Sequence, residues 1–348
     1  SSFAQADYPC FILDDALAPI WCNEAAENLN LTKGYATHFV AMTLARSPWA
    51  AGLLANQLAV TLNLSDGALM GRNITLLPLP GQQYLVTVMA ASNLPFIPAF
   101  SQNLRNDITD IFLLLPLLEK NIEDARELEY SERIYRNCYR MLRSAVNTST
   151  LNQLIQNQPV KAQLIDLNLL AEKLCNGVNT ICSPKSNIPL TFIKCEIPLF
   201  IEGDEKILAT AILNVLQNAY IYTRDGNEIV LRLSATGGRA VLTVTDKGAG
   251  IKPENLLHIF DLYFSVLPYD DDCDRPGLGV GLALTKETIC RMGGTVAVES
   301  RFGYGTSLTL AIPLALDSFF ASPPAEYIMD KYSPLFVQMC DICCFPTR

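Results

Sequence analysis

Histidine is nearly missing from this sequence: 348 residues hold only two, His38 and His258. That scarcity weighs against a zinc centre. A tetrahedral site needs four ligands, and neither histidine is near the cluster Cys340, Cys343 and Cys344. Basic clusters are missing too. With 26 Lys and Arg against 35 Asp and Glu, the formal net charge is −9. Nucleic acid is therefore not an expected partner, because phosphate neutralisation needs grouped cations. No uninterrupted apolar run reaches the roughly 18–20 residues of a membrane-spanning helix. The greasiest stretch, Ile111 to Leu118, is short and contains Pro116. The opening Ser-Ser-Phe-Ala-Gln is no signal peptide, so membrane attachment would require an anchor before residue 1. The eleven cysteines are scattered rather than arranged as a disulfide framework. Reduced thiols and a cytoplasmic location are the simpler expectation.

What is present suffices for two or three domains: half of the residues are apolar, and this length exceeds one ordinary domain. Residues 1–94 carry short β-like runs, Cys10–Leu13, Pro19–Cys22, Asn73–Leu77 and Tyr84–Ala90, with a helical stretch at Asn23–Leu31. They predict a small α+β domain. Residues 95–158 turn helical. Leu104, Ile108, Ile111, Leu115 and Leu118 recur at steps of three and four. Leu128, Ile134, Cys138, Met141, Leu142, Ala145, Leu151 and Leu154 repeat the rhythm after the charged stretch Glu119–Glu127. Two such helices predict an antiparallel hairpin. Its apolar stripe is covered either by a second copy, giving a dimeric four-helix bundle, or by the flanking domains. Pro159 ends the second helix, and residues 159–314 alternate helix and strand signals. Residues 315–348 read as an extension with little regular structure, although Pro334–Cys344 is apolar enough to dock.

Four motifs in residues 159–314 carry chemistry jointly. In the helical run Ile212–Thr223, Asn214 and Asn218 are four apart and share a face. Two carboxamide oxygens there can ligate a hard cation such as Mg²⁺. Val241–Asp246 alternates as a strand ending in a carboxylate, placed to accept a hydrogen bond from an adenine amino group. Gly248 and Gly250 then permit a tight turn and close ligand approach. Gly277–Leu284 is a glycine loop running into a helix, a geometry that offers backbone N–H groups to phosphates. It matches neither the dinucleotide fingerprint nor a P-loop. Met292–Pro313 is a hairpin with Gly303, Gly305 and Thr306 near its turn.

Together these resemble the N box and the three glycine boxes of the histidine-kinase-type ATPase superfamily. Ile259–Phe264 resembles the phenylalanine box of the kinase branch, and Gly203-Asp204 also matches the kinases. The resemblance implies an α/β-sandwich ATPase domain binding ATP with Mg²⁺. It implies that Asn214 and Asn218 hold the metal and Asp246 contacts adenine. Tyr222, Gly248, Gly250, Ile251, Phe260, Gly277, Leu278, Gly279, Val280, Gly281, Leu282 and Thr306 would complete the nucleotide site, beneath a lid at Ser265–Pro276. Two departures point to weak affinity. Ile221 stands where the N box usually has Lys or Arg, and the lid carries Asp270, Asp271, Asp272 and Asp274 against Arg275 alone. Asn214 also replaces the general-base Glu of the gyrase and Hsp90 branch.

Residues Pro9–Leu29 and the strand Tyr84–Ala90 are similar to a PAS sensor domain. In histidine kinases the first hairpin helix carries a phosphoacceptor His followed by an acid. In Ser101–Phe112, Leu104, Arg105 and Thr109 fit that pattern, but Gln102 and Asn103 occupy those two positions. A primary amide is not a nucleophile under these conditions. The resemblance thus implies a signalling protein of kinase architecture without autophosphorylation on the usual His, a pseudokinase. The alternative is an active kinase that modifies another residue or a heterodimer partner. A homodimer through the hairpin and a response regulator or partner kinase are the partners it implies.

Overall fold

The computed structural model describes residues 6, 8–28, 52, 54, 59–63, 73–89, 98–119, 125–156, 158–224, 226–265, 278–315 and 332–345. The first part holds strands β1 (Cys10–Leu13), β2 (Pro19–Cys22), β3 (Ala59–Asn63), β4 (Asn73–Leu79) and β5 (Gln83–Met89), with helix α1 (Glu24–Asn28). Four of these strands lie where period-two runs predict them; β3 was not foreseen. The strands pair antiparallel in the order β2-β1-β5-β4-β3. Asn23 starts α1: its Oδ1 accepts from the N–H groups of Cys10 and Ala26, both at 3.0 Å. The expected continuation of α1 past Asn28, and His38, lie outside the described residues.

Helices α2 (Pro98–Glu119) and α3 (Ala125–Ile155) form the hairpin. Ile108, Phe112 and Leu115 are buried with Tyr135, Cys138, Tyr139 and Leu142, and the rings of Phe112 and Tyr139 lie 4.6 Å apart. Leu118, expected on that buried stripe, is 65% exposed. A step of three from Leu115 falls short of a full turn by about 60°, which rotates Leu118 toward Leu114 and Leu117. Leu113, Leu114 and Leu117 are also exposed, as are Leu128, Ile134 and Met141 of α3.

The third part is an α/β sandwich. Strands β7 (Leu190–Ile193), β9 (Ile229–Thr236), β10 (Arg239–Asp246), β12 (Gly305–Pro313) and β11 (Thr295–Arg301) are neighbours in that order. The β7–β9 pairing is parallel and the others antiparallel. Leu242 and Val244 of β10 point into the core. Thr243 and Thr245 instead pair through their hydroxyls with Thr309 and Ser307, at 3.1 and 3.0 Å. This alternation suits a sheet covered on one face. Helices α4 (Leu167–Cys182), α5 (Glu205–Tyr222) and α7 (Gly281–Arg291) pack with the sheet in one core. The short helix α6 (Pro253–Leu256) and the two-stranded sheet of β6 (Gln163–Asp166) and β8 (Phe200–Gly203) complete this part. Asp166 and Asp204 cap α4 and α5, each side chain accepting from two backbone N–H groups of the first turn; such caps contribute about 1 kcal/mol each.

Strand β3 pairs with β11, with Val296 opposite Thr61 and Val298 opposite Ala59, so the first and third parts share one ten-stranded sheet. The C-terminal segment is more integrated than its composition suggested. Helix α8 (Pro334–Gln338) and the turns after it bury Leu335, Phe336, Val337, Met339, Cys340, Cys343 and Phe345 in the main core. Phe345 stacks on Tyr139 at 4.9 Å, and Lys185 lies 6.0 Å from its ring.

Candidate nucleotide site

Asp246 ends β10 and is 9% exposed. Its Oδ1 accepts from the backbone N–H groups of Gly248 (2.8 Å) and Thr306 (3.2 Å). These bonds fix the carboxylate at the rim of a cavity of about 570 Å³, a size typical of small-molecule sites. Burial raises the pKa of Asp246 above its ordinary 3.8, although the two N–H groups pull it down. The turn that follows depends on glycine. A Cβ on Gly248 would sit 2.2 Å from the Tyr222 carbonyl oxygen, and Gly250, at φ +64°, would collide with the Arg301 carbonyl at the same distance.

Asn218, Tyr222, Gly250, Ile251, Leu278, Gly279, Val280, Gly281, Leu282 and Thr306, named above from the sequence, also line the cavity. Asn214 does so as well, but its oxygen is engaged: Asn147 of α3 donates to Oδ1 at 3.1 Å, and Nδ2 is buried with no partner. Gly281 packs close beside it: a Cβ there would lie 3.1 Å from that Oδ1 and would press on the Asn214 side chain. Two expected residues do not line the cavity. Gly248 is not among its lining residues, and its N–H donates to Asp246. Phe260 is buried against Lys286, whose ammonium lies 6.0 Å from its ring; Ile259 and Phe264 face the cavity instead. Gly277 and the lid beyond Ser265 lie outside the described residues.

Several cavity residues were not anticipated. Arg140, Arg143, Ser144 and Asn147 of α3 form one wall, with Gln217 of α5 and Asp341 of the C-terminal segment. Arg140 Nε and Arg143 Nη1 donate to the two oxygens of Asp341 at 2.5 and 2.7 Å, and Gln217 Nε2 donates at 2.8 Å. Ile221 contributes no charge to the cavity, and the guanidiniums that line it, Arg140 and Arg143, come from α3. The spacing Arg140, Arg143, Asn147 places all three on one helical face. That face was the only signal in the sequence, since Asp341 is about two hundred residues away.

Residues 203–316 match the family model described as histidine kinase-, DNA gyrase B-, and HSP90-like ATPase. The sensor-like histidine kinase SenX3 of Mycobacterium tuberculosis is 28% identical over 249 residues, covering 66% of this chain and 56% of SenX3. The sensor histidine kinase RcsC of Escherichia coli is 32% identical over 154 residues, or 44% of this chain and 16% of RcsC. Residues 203–316 thus carry a histidine kinase-like ATPase domain, and the chain is similar to sensor histidine kinases beyond it. It spans about half the length of SenX3 and less of RcsC. Among solved structures, the mycobacterial sensor histidine kinase MprB is similar at 27% identity and a TM-score of 0.37, over 44% of this chain and 97% of that one. The matched segment holds α5, β9 to β12, α7 and the Asp246 side of the cavity. The arginine wall of α3 and the segment carrying Asp341 lie outside it. No helix among the described residues is long and apolar enough to cross a membrane.

Proposed function

We propose that this chain is a histidine-kinase-like signal-transduction protein that binds Mg-ATP and does not autophosphorylate on the usual histidine position. The observation that carries the nucleotide reading is the fixed Asp246 carboxylate. One oxygen is held by two backbone N–H groups, and the side chain borders a cavity of nucleotide size. Its ionised form would accept from an adenine amino group, while Gly279, Val280 and Gly281, leading into α7, would offer N–H groups to phosphates. The carboxamide oxygens of Asn214 and Asn218 are of the type Mg²⁺ takes. Asn218 lines the cavity; Asn214 would serve once Asn147 releases its oxygen. Bound Mg²⁺ would neutralise phosphate charge.

The pseudokinase reading rests on residue chemistry. Gln102 and Asn103 fall in the first turns of α2, where the family's phosphoacceptor pattern has its His and acid. His258 hydrogen-bonds Asp261 at 2.7 Å beside Phe264, outside the hairpin. Incubation with γ-labelled ATP tests it: no acid-labile, base-stable phosphoprotein is expected. Such a product would instead favour a kinase that modifies a non-standard residue or a partner.

The strand order β2-β1-β5-β4-β3 with α1 after β2 supports a PAS-like sensory role for residues 1–94. The exposed leucines of α2 support a homodimer through a four-helix bundle. A response regulator or a partner kinase is the proposed recipient of the signal, in a cytoplasmic setting.

A further inference from the structure

Among the described residues of the C-terminal segment, Asp341 is the carboxylate that reaches the cavity, and the side chains that hold it are donors suited to an anion. It is held by Arg140, Arg143 and Gln217, and the side chains of Arg143 and Asp341 are only 10% and 8% exposed. A buried guanidinium requires a counter-charge, and here the chain supplies its own. Gln217 lies on α5, the helix that carries the proposed Mg²⁺ ligands Asn214 and Asn218, whereas Asp246 ends β10. The same segment fastens α3 over α5. Gln338 and Asn147 exchange amide hydrogen bonds, at 2.9 and 3.4 Å, while Asn147 donates to Asn214.

The geometry points to a phosphate subsite made by Arg140, Arg143 and Gln217, in which Asp341 is a built-in competitor of the nucleotide's phosphates. The inference rests on the nucleotide reading above and adds a regulator to it. A triphosphate carries more charge than one carboxylate and can form bidentate contacts to both guanidiniums. Nucleotide entry therefore displaces Asp341 and frees the Asn147 amide from Asn214. The C-terminal segment then leaves its seat on Tyr139, exposing Cys340 and Cys343, which are buried when it is docked.

The test is calorimetric titration of the full chain with Mg-ATP and, separately, with adenosine, which has no phosphate. Asp341→Asn removes the competing charge. Phe345→Ala loosens the segment while leaving Asp341 and its arginines in place, and so controls for a fold weakened by an uncompensated arginine. Both variants are expected to bind Mg-ATP about tenfold more tightly, the gain if the segment is docked in roughly nine of ten molecules. Adenosine affinity should stay unchanged. Arg140→Gln placed in the Asp341→Asn chain should reverse the gain. Equal Mg-ATP affinity in all these chains, or equal gains for ATP and adenosine, would overturn the competitor while leaving the nucleotide site standing. If neither ligand binds any chain, the nucleotide reading fails and the inference with it.

Discussion

Asp246 is buried enough that its pKa lies above 3.8, yet the carboxylate form is the one that can accept a hydrogen bond from adenine. Affinity is therefore full above that raised pKa and falls as pH drops through it. Mg-ATP titrations across an acidic pH series should show the loss setting in at higher pH than an ordinary aspartate gives. Asp341 behaves oppositely. Burial alone would raise its pKa, but Arg143 and Arg140 outweigh that and hold it below 3.8. Its ion pairs are intact above the ordinary carboxylate range and are lost only as pH falls through the lowered value. The acid end of the profile thus reports Asp246 before it reports the C-terminal lock. The turn after Asp246 offers a sharper test. Gly250→Ala combines a left-handed backbone with a Cβ 2.2 Å from the Arg301 carbonyl. It should cost at least about 2 kcal/mol, read as a fall in the urea midpoint, and should remove nucleotide binding.

Among the elements, α7 joins the cavity to the strands of the first part. Lys286 is buried, its Nζ 3.3 Å from the Thr75 hydroxyl of β4, and burial lowers its pKa below 10.5. The fold thus disfavours the charged form, and this cost is present at neutral pH and fades as pH rises toward that of the free side chain. Lys286→Met should raise the thermal midpoint at neutral pH, by on the order of 1 kcal/mol in stability, and flatten the alkaline pH dependence. Nothing in the sequence marked Lys286 as buried, since it follows Leu284 and Thr285 in an ordinary amphipathic rhythm. Legibility followed locality. The strand leading to Asp246, the capped helix carrying Asn214 and Asn218, and the hairpin of β11 and β12 were readable because period and turn glycines are local signals. Strand β3, five residues long, was not, because it finds its partners in β4 and in β11, more than two hundred residues away. The arginine wall and Asp341 escaped for the same reason: their meaning exists only after α3 and α8 meet over α5.

For the whole molecule, the hairpin divides its apolar surface between two uses. One face packs into the main core, as a hairpin covered by its own neighbours would. The other leaves Leu113, Leu114, Leu117 and Leu118 more than half exposed, which is costly in water unless a second copy covers them. Leu114→Glu with Leu117→Glu should convert a dimer to a monomer in sedimentation while leaving Mg-ATP affinity unchanged. A wild-type monomer would refute the bundle. The central claim, a nucleotide site built on Asp246 and Asn218, is tested most directly by calorimetric titration of Mg-ATP into the intact chain and into the Asp246→Ala and Asn218→Ala variants. Saturable binding to the intact chain, lost in both variants while each still unfolds cooperatively, is the predicted result; Asp246→Ala should also lower the thermal midpoint, because it leaves the Gly248 and Thr306 N–H groups unpaired. Binding that survives both substitutions, or no binding even when Asp341 is neutralised, would contradict it.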